Sequence, residues 1–298
     1  MPVGDTRGAG FTVVLNKYGP VAAMWTGAGG SKAHVIIDVT GYFVAGTSGS
    51  TFVPLTPARL VDTRIGNGLT GPLVTGVPRT FPVTGRGGVP AGAKAVTGNL
   101  VAVAPNSGGY LALAPGVAAN PATASLNVPR GDIRAASVTL PLDASGHLGV
   151  VWKGTPGSKT NVVFDVTGYF VGDGSGATFF GIDASRVLDS RFANGLAGPF
   201  AANGVRALQA TGRGAVPLDA VAVTGGLAVV GPTGAGWLIV GPGGSPLGST
   251  SSINVPRGDI RANGFTSRTS GSGVLSMVYV GPKGSAANVV LDVTGYFR

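Results

Sequence analysis

The sequence predicts an all-β protein with almost no helix, and two features of composition and one of patterning carry that prediction. All 12 acidic residues are Asp, Glu is absent, and the only Gln is Gln209. Glu, Gln and Lys normally fill exposed helix faces, whereas this chain has 53 Gly and 21 Pro among its 298 residues. Short Val-rich runs separated by Gly/Pro turns roughly every 10–15 residues indicate antiparallel sandwich or barrel-like domains of about seven to nine strands.

The chain is built from a repeat with an offset of 127 residues. The sequence Asp-Val-Thr-Gly-Tyr-Phe stands at 38–43, 165–170 and 292–297, and Arg59–Arg64 returns as 186–191. No insertion or deletion separates the copies, so each position has a register equivalent 127 residues away. Self-similarity at a fixed period is typical of repeat architectures.

The repeat register divides the chain into two full domains and one partial one. The predicted boundaries are 1–44 for a partial repeat (the C-terminal third of a unit), 45–50 for a Gly/Ser linker, 51–171 for the first β repeat domain, 172–177 for a second linker and 178–298 for the second β repeat domain. Within the partial repeat we expect three strands, near 11–15, 20–25 and 34–43. Three strands alone leave an open edge and an uncovered apolar face, so either the chain is a fragment of a longer array or another subunit completes the segment.

The last strand of each unit shows which face forms the core. In 161–170, alternation places Val162, Phe164 and Val166 on one face and Asp165 on the other. The first face is therefore the predicted core face. Gly168 lies inside this strand, which indicates a bulge or a close approach by another part of the chain.

These motifs also resemble a known class of repeat. The order Arg-Leu-x-Asp-Thr-Arg, Ser-Leu-Asn-Val-Pro and Asp-Val-Thr-Gly-Tyr-Phe is similar to tandem repeats in secreted and cell-surface proteins of actinobacteria and related soil bacteria. The resemblance covers essentially the whole chain. It implies a secreted or surface accessory module, with any signal sequence lying outside this chain, and it supplies no catalytic residue.

Charged residues follow the repeat register, which predicts that they belong to the scaffold. Most Arg and Asp have equivalents in the other units, whereas Lys and His vary. We expect guanidinium–carboxylate pairs to hold irregular segments in place. The predicted structural network comprises Arg59, Asp62, Arg64, Arg186, Asp189, Arg191, Asp132, Arg134, Asp259, Arg261, Asp165 and Asp292. The alternative is an anion or sugar-acid site at Arg64 and Arg191.

The formal charge of +9 and the pI of about 10.3 favour an anionic partner. Basic residues form no run and do not interleave with aromatics, so no specific nucleic-acid binding is expected. No apolar run approaches the ~18 residues of a membrane helix, so no transmembrane segment is expected. The expected partners are other repeats or subunits of the protein itself, or an extracellular glycan or anionic cell-wall polymer.

Enzyme and metal chemistry lack their usual residues. There is no Cys and no Glu, and the two histidines, His34 and His147, occupy non-equivalent positions. A repeated acid–base or nucleophilic site is therefore not expected, and neither a cofactor nor zinc is predicted. Calcium at Asp62 with Asn67, or at Asp189 with Asn194, stays open, although the intervening Arg64 and Arg191 disfavour it.

Aromatic residues at strand ends are the remaining candidate binding residues. Five of them are candidates for stacking on a sugar ring: Trp25, Trp152, Tyr279, Tyr110 and Trp237. The first three are register equivalents, as are the last two. A strand-end Trp or Tyr is more often a lid on the core, so burial would remove the platform.

Together these features predict a non-catalytic, secreted or cell-surface structural or adhesion module, with end-to-end self-assembly as an option. The alternative is a carbohydrate-binding, lectin-like module that recognises cell-wall or extracellular glycans. Exposure of the aromatic rings separates the two.

Overall fold

A computed structural model describes residues 1–15, 19–46, 48–244 and 248–298. These residues contain eighteen strands and no helix, which confirms the predicted all-β class. Nowhere in the described residues is there a helix that could span a lipid bilayer. The strands fall into two sets of nine, here called unit 1 (51–171) and unit 2 (178–298).

Unit 1 is a sandwich of two open antiparallel sheets. Its strands are β1 (Thr51–Asp62), β2 (Leu73–Val74), β3 (Arg79–Pro82), β4 (Ala95–Val103), β5 (Gly109–Ala114), β6 (Leu126–Val128), β7 (Ile133–Pro141), β8 (His147–Gly154) and β9 (Lys159–Val171). One sheet has the order β1-β9-β4-β7, with β2 also on β9, and the other has the order β3-β8-β5-β6. Strands adjacent in sequence therefore often lie in opposite sheets.

Unit 2 repeats this topology. Its strands are β10 (Phe179–Asp189), β11 (Phe200–Ala201), β12 (Val205–Gln209), β13 (Ala222–Val230), β14 (Gly236–Pro242), β15 (Ile253–Val255), β16 (Ile260–Arg268), β17 (Val274–Val280) and β18 (Ala286–Phe297). The sheets have the orders β10-β18-β13-β16, with β11 on β18, and β12-β17-β14-β15. The end of the second linker is hydrogen-bonded to β1 of unit 1, because Ala177 exchanges two backbone hydrogen bonds with Phe52. Thr47 of the first linker lies outside the described residues.

The core of unit 1 lies between its two sheets. It takes Leu100 and Phe164 from one sheet and Leu148 and Trp152 from the other, each at most 1% exposed. The predicted core face of β9 is therefore correct. Burial of such side chains is worth roughly 1.5–3 kcal/mol each, so these sheets hold each other in place.

Residues 1–44 do not form the three predicted strands. The structure has no strand in 1–15 or 19–46, and residues 16–18 lie outside the described part. The reason lies in the pairing of their equivalents, β7, β8 and β9, which hydrogen-bond only with strands of the β1–β6 segment. A sheet strand needs a hydrogen-bonded neighbour, and the sequence holds three copies of the β7–β9 segment but only two of β1–β6. We call residues 1–44 the third segment.

Candidate functional site: a charged ring between the units

Six charged residues join the third segment and the two units in a closed ring. This charged ring consists of Asp5, Arg7, Asp132, Arg134, Asp259 and Arg261. Arg134 donates through Nε to Asp132 of its own unit at 2.6 Å and through Nη2 to Asp5 at 2.7 Å. Arg261 donates in the same way to Asp259 at 2.9 Å and to Asp132 at 2.7 Å. Arg7 completes the cycle, donating to Asp5 at 2.7 Å and to Asp259 at 2.9 Å.

Each arginine of the charged ring also binds the backbone of the preceding position in the cycle. Nη1 of Arg134 donates to the carbonyl oxygen of Thr6 at 2.8 Å, and Nη1 of Arg261 donates to that of Ile133 at 2.7 Å. Arg7 does the same to Ile260 at 2.6 Å. The pattern is the same at all three junctions, so the third segment, unit 1 and unit 2 occupy three equivalent positions around one axis.

The ring is largely shielded from water, and its hydrogen bonds lower the pKa of two of its aspartates. The side chains of Arg134 and Arg261 are each 7% exposed. Burial alone would raise the pKa of Asp5, but hydrogen bonds from Arg7 and Arg134 outweigh it and lower that pKa. The pKa of Asp259 is lowered in the same way, with burial opposed by Arg261 and Arg7. Asp5 and Asp259 are therefore held in the charged form by one arginine of their own repeat and one of a neighbouring repeat.

Acid should therefore weaken the fold. Five aspartates have a lowered pKa: Asp5, Asp62, Asp173, Asp189 and Asp259. A lowered pKa contributes stability that is present above the ordinary Asp pKa of about 3.9 and is lost as pH falls through the folded pKa values. Asp165, whose pKa burial raises, has the opposite sign. We expect the midpoint of thermal unfolding, followed by circular dichroism, to fall steeply below about pH 4. A midpoint that rises between pH 5 and pH 3 would contradict this assignment.

A second charged group holds the loop after the first strand of each unit. Both oxygens of Asp62 accept from Arg64, at 2.8 and 2.7 Å, and Arg59 adds a bond to Asp62 at 3.3 Å. Arg86 donates a hydrogen bond to Oδ1 of Asn67. Asp189 is bound by Arg191 and Arg186 in the same pattern. A calcium ion at these positions would have to displace guanidinium groups, so the geometry favours a structural role.

The interface between units 1 and 2 buries a carboxylate. Asp165, 1% exposed, accepts from Nε of Arg59 at 2.8 Å and from the backbone N–H of Ser251 in unit 2 at 3.0 Å. Burial dominates and raises the pKa of Asp165 despite Arg59. Beside it, Asn263 of unit 2 donates to Oδ1 of Asn99 at 3.0 Å. The sequence did not identify these asparagines, because neither has an Asn at its register equivalents.

The equivalent pair of unit 2 is exposed. Arg186 donates to Asp292 at 2.8 Å with the same geometry, but the side chains are 48% and 36% exposed against 17% and 1% for Arg59 and Asp165. The difference arises because the loop at 249–251 of unit 2 covers Asp165 and hydrogen-bonds with the Arg59–Asp165 pair. Among the described residues, no loop makes equivalent hydrogen bonds to the Arg186–Asp292 pair. The outward face of unit 2 thus has the residues of an interface without the covering loop.

A cluster of phenylalanines forms a second region of contact among the third segment, unit 1 and unit 2. The aromatic cluster comprises Phe43, Phe52, Phe170, Phe179 and Phe297. Phe43, Phe170 and Phe297 are register equivalents, and the ring of Phe43 lies 4.2 Å from that of Phe179 and about 6 Å from the other two. Phe52 packs 5.1 Å from Phe170 and 4.3 Å from Phe297. The repeated Phe was visible in the sequence, but its convergence at one point was not.

The candidate stacking residues divide into three classes. Trp152 and Tyr279 are 0% exposed and are capped by hydrogen bonds to Ser158 and to Gly234, so their rings are closed to a sugar. This corrects the expectation for those two. Trp25, their equivalent in the third segment, is 43% exposed. Tyr110 and Trp237 are partly buried at the starts of β5 and β14, paired with Asn127 and Asn254.

No protein-family model and no curated protein matches the chain. Among solved structures, it is similar to the PBSX exported protein XepA at 14% identity, covering 96% of this chain and 98% of that one, with a TM-score of 0.24. The tandem CBM22 domains of Paenibacillus barcinonensis Xyn10C match at 10% identity, over 82% and 99%, with a TM-score of 0.20. The turret protein A223 of Sulfolobus turreted icosahedral virus matches at 11%, over 74% and 97%, with a TM-score of 0.17. Scores this low carry no argument about function.

Proposed function

We propose that this chain is a non-catalytic structural or adhesion module of the secreted or cell-surface class, built to assemble repeat units around the charged ring. One observation supports this above the others: the ring aspartates each accept from two arginines of different repeats. The ring carboxylates, which could otherwise act as acids or bases, thus form ion pairs that join the units. In this proposal the charged residues that repeat every 127 positions hold the assembly together and do not bind a substrate.

The partner we propose is an anionic polymer of the cell wall. The chain has 21 basic and 12 acidic residues. Even when every carboxylate is paired with a basic side chain, the remaining basic residues leave the protein surface with a net positive charge. We expect the chain to cosediment with Gram-positive cell-wall sacculi at 50 mM NaCl and to be released at 500 mM, because salt screens exposed charges. Sacculi stripped of teichoic acid are the control and should retain little protein. Binding that persists at high salt, or on stripped sacculi, would contradict an electrostatic adhesion role.

A carbohydrate-binding module is the second candidate, supported by Tyr110 and Trp237. The two rings are partly exposed, repeat at one position and lie opposite an Asn on the neighbouring strand. An aromatic face beside an amide suits a sugar ring. A glycan array separates the candidates: the structural role predicts no saturable binding, and a lectin predicts binding that Tyr110→Ala and Trp237→Ala together abolish while unit folding is kept.

A further inference from the structure

The third segment exposes the residues that its equivalents bury. Five positions of the β8–β9 sequence show this: Val21, Trp25, Val35, Ile37 and Val39 are 43–81% exposed, and their equivalents Leu148, Trp152, Val162, Phe164 and Val166 are at most 1% exposed. The sequence pattern of a sandwich core is thus present without the sheet that would cover it. Contiguous exposed apolar surface of this kind marks an interaction site.

The complete units show what covers that face. In unit 1, β9 pairs with β1, β2 and β4, and β8 pairs with β3 and β5. All of these strands belong to the segment 45–127. A second copy of the third segment cannot substitute, because β7, β8 and β9 are not neighbours of one another in either sheet.

Two further features indicate that a segment like β1–β6 is what would cover this face. An added Cβ at Gly168 would overlap the ring of Phe52 from β1, and one at Gly295 would overlap the ring of Phe179 from β10, yet nothing lies within 4 Å of a Cβ at Gly41. The Arg186–Asp292 pair on the adjacent face of unit 2 is exposed, while in unit 1 the equivalent pair is covered by a loop that a β1–β6 segment carries. This face of unit 2 adjoins the third segment, because Thr294, two residues after Asp292, donates to the carbonyl oxygen of Thr12 at 2.6 Å.

We propose that the exposed face of residues 20–44, together with Arg186 and Asp292, is a docking surface for a polypeptide of this same repeat with the sequence type of residues 45–127. The charged ring and Phe43 already hold the two ends of the third segment against units 1 and 2. Docking would add strands on both sides of 34–43 and close a third sandwich. This assignment goes beyond adhesion and does not depend on the polymer to which the protein adheres.

Fusing a second copy of residues 45–127 directly before Met1 tests the proposal, since that junction restores the repeat register. Amide hydrogen exchange of 34–43 should slow on the order of 100-fold, towards the rates of 161–170, because the strand gains neighbours. Adding Gly41→Leu to the fusion should abolish this protection, because the side chain would occupy the place of the incoming Phe. Fast exchange of 34–43 in the plain fusion, or protection that survives Gly41→Leu, would overturn it.

A second variant keeps the proposal falsifiable where the fusion folds poorly. In the unfused chain, Val39→Asp should leave the unfolding midpoint and the mass from light scattering unchanged, because that face is uncovered. If the variant instead dissociates an oligomer or lowers the midpoint by more than a few degrees, the face is already covered in the chain that lacks the added 45–127 segment, and the proposed occupant is wrong.

Discussion

Replacing Asp165 with alanine should destabilise the protein by about 3–5 kcal/mol, because the partly buried guanidinium of Arg59 loses two hydrogen bonds to a buried carboxylate and keeps, among carboxylates, only the longer contact to Asp62. The backbone N–H of Ser251 also loses its acceptor at the interface of the units. The same replacement at Asp292 should cost less than about 1 kcal/mol, since that pair is exposed. Urea unfolding of the two variants measures the difference directly.

The pair of substitutions is matched in chemistry and in register, so sequence position alone cannot separate them. Asp165 and Asp292 each bind an arginine with two hydrogen bonds. Equal losses of stability in the two variants would show that the cover over Asp165 contributes nothing. A loss at Asp292 that grows to the value of Asp165 in the fused chain would connect this prediction with the proposed docking surface.

Replacing Arg134 with alanine should cost about 3 kcal/mol and release the start of the third segment. The side chain is 7% exposed and binds Asp132, Asp5 and the backbone of Thr6. Without it, one of the three junctions of the charged ring opens. Limited proteolysis should then cut within 1–12 at least tenfold faster, while unit 2 stays resistant.

Arg130→Ala is the control for this substitution. Arg130 lies in the turn just before β7, carries the same charge and is exposed, so its loss should change stability by less than about 0.5 kcal/mol. Equal cleavage rates in the two variants would mean that the third segment is not held by the charged ring.

Much of this architecture could be predicted from the repeat. The repeat and its side-chain alternation predicted the all-β class and the core face of β9, and the structure confirms both. The close approach predicted at Gly168 is where the ring of Phe52 lies against the strand. These inferences succeeded because side-chain alternation and register are local properties of the sequence.

The contacts between units could not be predicted in this way. Each ring arginine has an aspartate two residues before it, so the sequence suggested pairs within a unit and concealed the partner 129 or 252 residues away. The three strands expected in 1–44 failed for a related reason. Their alternation was correct, but strand formation depends on neighbours contributed by β1–β6, and the order of strands in a sheet is not a local property.

The third segment and the two units occupy three equivalent positions around the charged ring. A double-mutant cycle between Asp5 and Arg134, with Asp5→Asn, Arg134→Ala and both together, tests this arrangement most directly. The two residues lie 129 positions apart, and their side chains meet at 2.7 Å. The ring predicts a coupling energy of about 1–3 kcal/mol in urea unfolding. Additivity of the two single effects to within about 0.3 kcal/mol would contradict it.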